Sequence, residues 1–405
     1  MNASSKPSQA DSPAAWRRLS IAVAIGTIGG VGMWSVPVAL PAVQADFAVP
    51  RGDASLLFTF TMLGFAFGGV AMGRIADRFG IVLPLVGGML VLALGYVAAG
   101  HATSLWQLML AQGLLIGPGC ASTFGPLMAD TSHWFVRRRG IAVSICAAGN
   151  YIAGAIWPPL LQHFIAGQGW RLTHIGVGIF CALTVIPLAL LLRKRAPHTD
   201  VAAVTPPPRH GALGISPNTL QVLLCIAGIG CCVAMSMPQV HIVAYCGDLG
   251  YGVARGAEML ALMLAFGTVS RVASGFIADR IGGLRTLLLG VSLQAFALVL
   301  YMLFDGLFSL YVISALFGLF QGGIVPSYAI IVREYFPPQE AGTRVGLCIM
   351  ATLVGMALGG WMSGWIFDLT GSYQAAFANG IGFGLLNIVI VLWLLWWPRQ
   401  RVAVA

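Results

Sequence analysis

Apolar runs of about 20 residues recur along almost the whole chain, each long enough to cross a hydrocarbon layer ~30 Å thick. Lipid offers backbone N–H and C=O groups no partners, so runs of this length must satisfy those groups internally, as helices. Twelve spans are predicted, at 18–42, 54–75, 81–99, 104–128, 139–164, 173–193, 218–245, 256–277, 285–304, 307–332, 341–366 and 375–397. Only 9% of residues are charged, against roughly 25% in a soluble domain, so water is excluded as the main solvent. The expected fold class is an all-α membrane protein of twelve transmembrane helices, arranged as two six-helix bundles in a lipid bilayer.

Residues 194–217 carry Lys194, Arg195, Pro206-Pro207-Pro208, Arg209 and His210 without apolar periodicity, and read as a linker. The expected organisation is therefore a tail at 1–17, a bundle at 18–193, the linker, a second bundle at 218–397 and a short tail at 398–405. The apolar stretch after the first 17 residues is too long for a signal-peptide core, so no cleavage is expected.

Positive residues stay on the cytoplasmic side of short loops. With the N-terminus inside, eighteen of the 22 Lys and Arg fall on that side, Arg51, Arg171 and Arg255 fall outside, and Arg271 falls within a span. Both termini are thus expected in the cytoplasm, in a cytoplasmic (inner) membrane. The net charge of +9 is a consequence of topology and argues against nucleic-acid binding, which needs a basic aqueous surface. The eight cysteines lie along apolar helices, where they act as small packing groups rather than a disulfide framework.

The chain also repeats itself. Residues 73–80 read GRIADRFG and residues 275–282 read GFIADRIG, 202 positions later. Trp134-Phe135 and Tyr335-Phe336 form a weaker pair 201 positions apart. Parallel halves related by an axis along the membrane normal are a known transporter plan, with substrate held between the halves near mid-membrane.

On Gly73, Asp77, Arg78 and Gly80 the chain resembles the major facilitator superfamily, over its whole length. The resemblance implies a cytoplasmic latch that forms and breaks as the halves rock, built on those four residues with Asp279 and Arg280 as the second copy; the alternative is that these charges only fix topology. A finer resemblance, to the monocarboxylate porter branch including its bacterial members, rests on four segments. They are Trp134 to Gly140 with Arg137, Arg138 and Arg139; Gly149-Asn150-Tyr151 to Pro158-Pro159; Gly169-Trp170-Arg171; and His241 to Asp248-Leu249-Gly250. The stretch from Phe367-Asp368 to Ser372-Tyr373 is common to the superfamily and supports fold more than substrate.

Arg271 is the one charge well inside a predicted helix. A central arginine costs roughly 2.5–3.5 kcal/mol on insertion scales, and such residues usually face a polar cavity. Gly267, Thr268, Ser274, Gly275 and Ala278 share its face as a small, weakly polar stripe. A guanidinium there matches the two oxygens of a carboxylate. The resemblance implies the same role, because the porters place a substrate-binding arginine in the eighth helix. The competing account is that Arg271, ~9 Å from the cytoplasmic end at 1.5 Å per residue, snorkels to water.

Two departures limit what carries over. Gly267 stands where the animal porters have an aspartate, and Val38 where they have a lysine used in proton coupling. Any coupling must use other groups, and His241 is the candidate, since only histidine titrates unperturbed near about pH 6.5; a helix-end hydrogen bond is its alternative role. Trp34, Phe124, Asn150, Tyr151, Gln321 and Tyr328 are candidates to shape a pocket, with helix packing as the competing role for each. Gly117-Pro118-Gly119 and Gly322-Gly323 to Pro326 should let the fourth and tenth helices bend.

The function expected is alternating-access transport of a small monocarboxylate, such as a 2-hydroxy or 2-oxo acid, with a proton as a candidate co-ion, by a monomer. An oxalate and formate type antiporter is the alternative, although residues 345–366 lack the eleventh-helix lysine of that branch. A non-transporting sensor is a third reading and would be expected to carry a further cytoplasmic domain. No nucleophile with its base and no metal-ligand cluster lies inside the spans, so no enzyme, cofactor or metal is expected.

Overall fold

The computed structural model describes residues 11–194 and 215–402, all but the loops and turns being helical. The helices are α1 (Pro13–Phe47), α2 (Arg51–Phe79), α3 (Val82–Gly100) and α4 (Leu105–Trp134), then the continuous stretch Arg139–Leu190. That 52-residue stretch cannot be one span, because Gly169 breaks it with φ 82° and ψ 162°. Glycine alone takes this conformation without a steric penalty. The limb before Gly169 is α5 and the limb after it is α6. The second half comprises α7 (Pro217–Asp248), α8 (Val253–Ile281), α9 (Gly283–Leu303), α10 (Leu307–Tyr335), α11 (Pro338–Thr370) and α12 (Gln374–Val402). The result is an all-α membrane fold of two six-helix bundles.

Several helices outrun their predicted spans. The first begins at Pro13, inside the expected tail, because Ser12 caps it through the N–H of Ala15 (3.3 Å) and Pro13 suits the first turn. Arg18 then serves as a buried anchor, bound through Nε to Asp130 (2.8 Å) and through Nη2 to the Leu192 carbonyl (3.0 Å). The last helix continues through the expected tail to Val402. Most of the expected linker, at 195–214, lies outside the described residues.

The internal repeat is written into backbone contacts. Gly80 and Gly282, 202 positions apart, end α2 and α8 with φ near 85°, the left-handed region that disfavours a side chain. A Cβ on Gly117 of α4 would lie 2.6 Å from the Thr61 carbonyl of α2, and one on Gly318 of α10 would lie 1.9 Å from the Met263 carbonyl of α8. These pairs are 201 and 202 positions apart. Both α4 and α10 break near these contacts, at Ser122–Phe124 and at Gly322-Gly323. An extra turn width at Ala111–Ile116 further loosens α4.

Gly318→Ala should therefore cost about 1–3 kcal/mol of stability through overpacking, read as a lower thermal midpoint in detergent. Gly87→Ala, whose Cβ would meet nothing within 4 Å, should leave that midpoint unchanged.

Candidate functional site

The halves meet through α2 with α11, α5 with α8, and α1 with α7. One face of the molecule carries the turns after Gly73-to-Gly80 and Gly275-to-Gly282; it is the signature face. At the opposite face the halves are locked. Arg51, at the start of α2, is 8% exposed. Its guanidinium pairs with both oxygens of Asp248 at the end of α7, one contact being Nη2–Oδ1 at 3.1 Å. It also donates to Tyr373 Oη (3.1 Å) and to Gln44 Oε1 (3.1 Å) and stacks over Phe367 at 4.1 Å. Asp368, at the end of α11, accepts from the backbone N–H of Arg51 (2.9 Å) and of Gly52 (2.6 Å). A carboxylate of one half thus caps a helix N-terminus of the other, where unpaired N–H groups and the dipole favour an anion.

His241 belongs to this lock. It is fully buried, with Nδ1 3.0 Å from Tyr373 Oη and Nε2 2.8 Å from the Gly360 carbonyl. The carbonyl only accepts, so Nε2 carries the proton and Nδ1 accepts from the tyrosine. A cleft of about 320 Å³ lies above, lined by Pro41, Gln44, Arg51, Ala244 and Asp248.

Contacts between the halves continue inward. Thr59 Oγ1 donates to the Ala357 carbonyl at 2.8 Å. A Cβ on Gly364 would sit 2.5 Å from Ser55 Oγ, on Gly360 2.9 Å from Phe58, and on Gly154 2.2 Å from Leu264. Toward the signature face the same four helices part: a Cβ on Gly73, Gly140, Gly275, Gly342 or Gly346 would meet nothing within 4 Å. Asp77, Arg78, Asp279 and Arg280 are exposed and make no ion pair with any described residue. Arg139 donates from Nε to the Phe135 carbonyl of its own turn, at 3.1 Å. The residues expected to form a latch therefore stand apart, and the molecule opens at the signature face.

Arg271 lies where the closed zone gives way to the open one. The helix α8 runs on to Ile281, so Arg271 is ten residues, about 15 Å, from its end, deeper than the predicted boundary implied. Its guanidinium turns across the seam rather than along the helix: the carbon lies 4.5 Å from the centre of the Tyr151 ring on α5, and Nη1 is 3.4 Å from the Ala147 carbonyl. Nε is buried without a partner. No Asp or Glu among the described residues pairs with it.

The ring of Tyr151 occupies the space one turn before Arg271. A Cβ on Gly267 would stand 2.5 Å from Tyr151 Cε1, so any larger residue displaces the ring. A cation over an aromatic face is attracted by roughly 0.5–2 kcal/mol, more when desolvated, which offsets part of the burial cost without cancelling the charge. The small stripe has a second use, in packing: Gly322 and Gly323 approach Ser270, Arg271 N and Ser274 within 2.9 Å of where a Cβ would lie.

Trp34 and Asn150 join this group: Trp34 Nε1 donates to the Asn150 carbonyl (3.1 Å), and the Asn150 amide reaches Met33 Sδ (3.3 Å). Phe124 packs 5.9 Å from Phe65, centre to centre, within the first half. Gln321 and Tyr328 lie elsewhere, inside the second bundle. Gln239 Nε2 donates to Gln321 Oε1 (2.9 Å), and Tyr328 Oη accepts from Asn387 (2.8 Å) and reaches Cys231 Sγ (3.4 Å).

Arg51, Asp248, Asp368 and Tyr373 carry the lock, and sequence reasoning passed over them as topology or fold markers. The only hint was an arginine and two acids on the side where few charges fall. The Gly169-Trp170-Arg171 segment is a staple within the first half. Arg171 pairs with Asp46, donates to the Ala102 carbonyl (2.9 Å) and stacks on Trp170 at 4.4 Å.

At the signature face Asp11, before α1, accepts from the backbone N–H of Val136 (3.2 Å), Arg137 (3.0 Å) and Arg138 (3.3 Å). Slight desolvation acts to raise its pKa but is outweighed by these donors and the charge of Arg137, so the carboxyl is held below its ordinary value. The tether therefore holds at ordinary pH and weakens only as pH falls through that lowered value.

The profile of the Major Facilitator Superfamily matches residues 22–313 and 275–404. Monocarboxylate transporter 13 of Bos taurus is 28% identical over 356 residues, covering 86% of this chain and 82% of its own length. The protein of the same name from Rattus norvegicus is 30% identical over 310 residues, covering 76% and 72%. Among solved structures, the nucleoside transporter NupG superposes with a TM-score of 0.73 at 13% identity, over 93% of this chain and 99% of its own.

Charged hydrogen bonds such as those of Asp368 contribute about 1.5–3 kcal/mol each. Asp368→Ala should therefore raise labelling of a single cysteine at Ser55, which is buried in the seam, by tenfold or more, about 1.4 kcal/mol, on a cysteine-free background. Labelling at Gly275 on the open face should fall in the same variant.

Proposed function

Because the chain belongs to the Major Facilitator Superfamily, we propose that it moves a small monocarboxylate, of the 2-hydroxy or 2-oxo acid kind, across the cytoplasmic membrane by alternating access. The single observation carrying this reading is Arg271. It is a permanent cation at the seam between two mobile halves, with an aromatic face, a distant carbonyl and, among the described residues, no acid as its company. A carboxylate supplies what is missing: two acceptor oxygens matched to the guanidinium fork and one negative charge. The names of the two relatives described above point the same way, since both are called monocarboxylate transporter 13.

In this reading Arg271 binds the carboxylate, while Tyr151 shapes the wall beneath it and Trp34 and Asn150 hold α1 and α5 together beside it. Phe124, Gln321 and Tyr328 set the packing of the helices that must bend. The lock of Arg51, Asp248, Asp368, Tyr373 and His241 closes the outer face. The latch of Gly73, Asp77, Arg78, Gly80, Arg139, Asp279 and Arg280 closes the cytoplasmic face in the alternate state. The charge bias of the loops assigns the signature face and both termini to the cytoplasm, so the conformation described is open inward. The chain is proposed to work as a monomer.

A dicarboxylate of the oxalate kind brings two charges, and the described part of the seam supplies one mid-membrane cation, which favours a single carboxylate. A sensor that binds without transport is distinguished by counterflow of label, which only a carrier produces.

The test is an uptake panel in proteoliposomes preloaded with the same unlabelled compound, with pyruvate, lactate, longer 2-oxo acids, oxalate and a neutral amide analogue. Short monocarboxylates should enter and the amide should not. Arg271→Ala should reduce uptake by about 10–100-fold, the loss of one charged hydrogen-bonding partner, with membrane expression retained. Arg271→Lys, which keeps the charge and loses the fork, should fall between. Normal uptake by Arg271→Ala would remove the arginine from the mechanism.

A further inference from the structure

Resting on the reading that Arg271 binds the transported carboxylate, we propose that this carrier works as an anion exchanger, in which one carboxylate must leave for each that enters and no proton accompanies either.

The inference comes from what answers the charge of Arg271 when no substrate is bound. A carrier that returns empty must withdraw water from its binding residues while both faces are closed, and a bare cation resists that step unless an acid neutralises it. Here the groups facing the guanidinium are the Tyr151 ring at 4.5 Å and the Ala147 carbonyl at 3.4 Å. Both lower the energy of the cation and neither carries a charge. The place from which an acid could reach it on the same helix, one turn earlier, is Gly267, and the Tyr151 ring fills it: a Cβ there would be 2.5 Å from the ring.

Of the thirteen acidic residues, Asp200 lies outside the described ones, and every other stands near a helix end or in a loop. His241 is committed to the far lock, between Tyr373 and the Gly360 carbonyl. The charged groups near it there are Arg51, Asp248 and Asp368. The one titratable group packed against Arg271 is the Tyr151 phenol, which in water ionises only near about pH 10, and no described carboxyl or imidazole stands there to take up a proton in one state and release it in the other. The bound carboxylate is the counter-ion, so the loaded carrier reorients readily and the empty one is held back. Charge balances over the cycle, because one anion crosses in each direction.

The test uses the full chain in liposomes, with labelled pyruvate and labelled L-lactate outside, at equal pH on both sides. Vesicles contain either the same unlabelled acid or chloride buffer. Initial uptake should be tenfold or more faster into acid-loaded vesicles, and neither an acid-outside pH gradient nor a potassium diffusion potential should drive uptake into chloride vesicles. Equal rates into both kinds of vesicle, or net uptake driven by the pH gradient, would overturn the exchange mode and leave the carboxylate reading standing. Entry of neither acid under any condition removes the carboxylate reading and the exchange mode with it.

A second variant probes the cause. Gly267→Asp combined with Tyr151→Ala places an acid beside Arg271 and clears room for it, so the loaded-to-empty ratio should fall toward one. An active double variant that keeps the parental ratio counts against the proposal.

Discussion

A guanidinium fixed well inside a membrane-spanning helix has to be met by something, because hydrocarbon offers neither hydrogen-bond acceptors nor counter-charge. In this protein α8 meets that demand by facing Arg271 across the seam to the other half, where the Tyr151 ring and the Ala147 carbonyl receive it. The arrangement ties the charge to the position of the two bundles. Any motion that separates α5 from α8 also changes what the guanidinium touches, and that coupling between binding group and seam is what a carrier of the proposed kind requires.

The seam itself is built from small residues. Gly154, Gly360 and Gly364 bring helices of opposite halves to within side-chain contact distance, as small residues do where helices pack in lipid. Polar groups then fix the end of the seam, most directly where Asp368 caps the first turn of α2. At the other end of the same helices, Gly73, Gly140, Gly275, Gly342 and Gly346 face open space. Glycines at both ends permit close approach, and in the arrangement described only one end uses it. The exposed Asp77, Arg78, Asp279 and Arg280 fit that logic, as partners that the open conformation keeps apart.

Helix number, the two-bundle plan and the pseudo-repeat were legible because each is written in a local pattern: apolar length, a duplicated octapeptide, and glycines that end helices at positive φ. Arg271 stood out for a similar reason, since one charge in a long apolar run is visible without coordinates. The neighbours of Arg271 were less legible. Tyr151 and Asn150 emerged from a motif, yet Gln321 and Tyr328 lie in polar contacts within the second bundle, with Gln239 and Asn387. A polar residue in an apolar helix signals a need for a partner and says nothing about where the partner is. His241 shows the same limit: its two ring nitrogens are engaged by residues 119 and 132 positions away in the chain.

By itself the sequence determined that this chain spans a bilayer as helices, in two related halves, with one cation well inside a predicted span, because solvent exclusion and periodicity act residue by residue. Only the tertiary structure decided which face is sealed, that Arg51, Asp248 and Asp368 seal it, and that an aromatic ring rather than an acid stands beneath Arg271. Those facts depend on which helices of opposite halves touch, and such contacts join positions up to 322 residues apart. No local pattern encodes a pairing at that separation; it exists only once both bundles have packed.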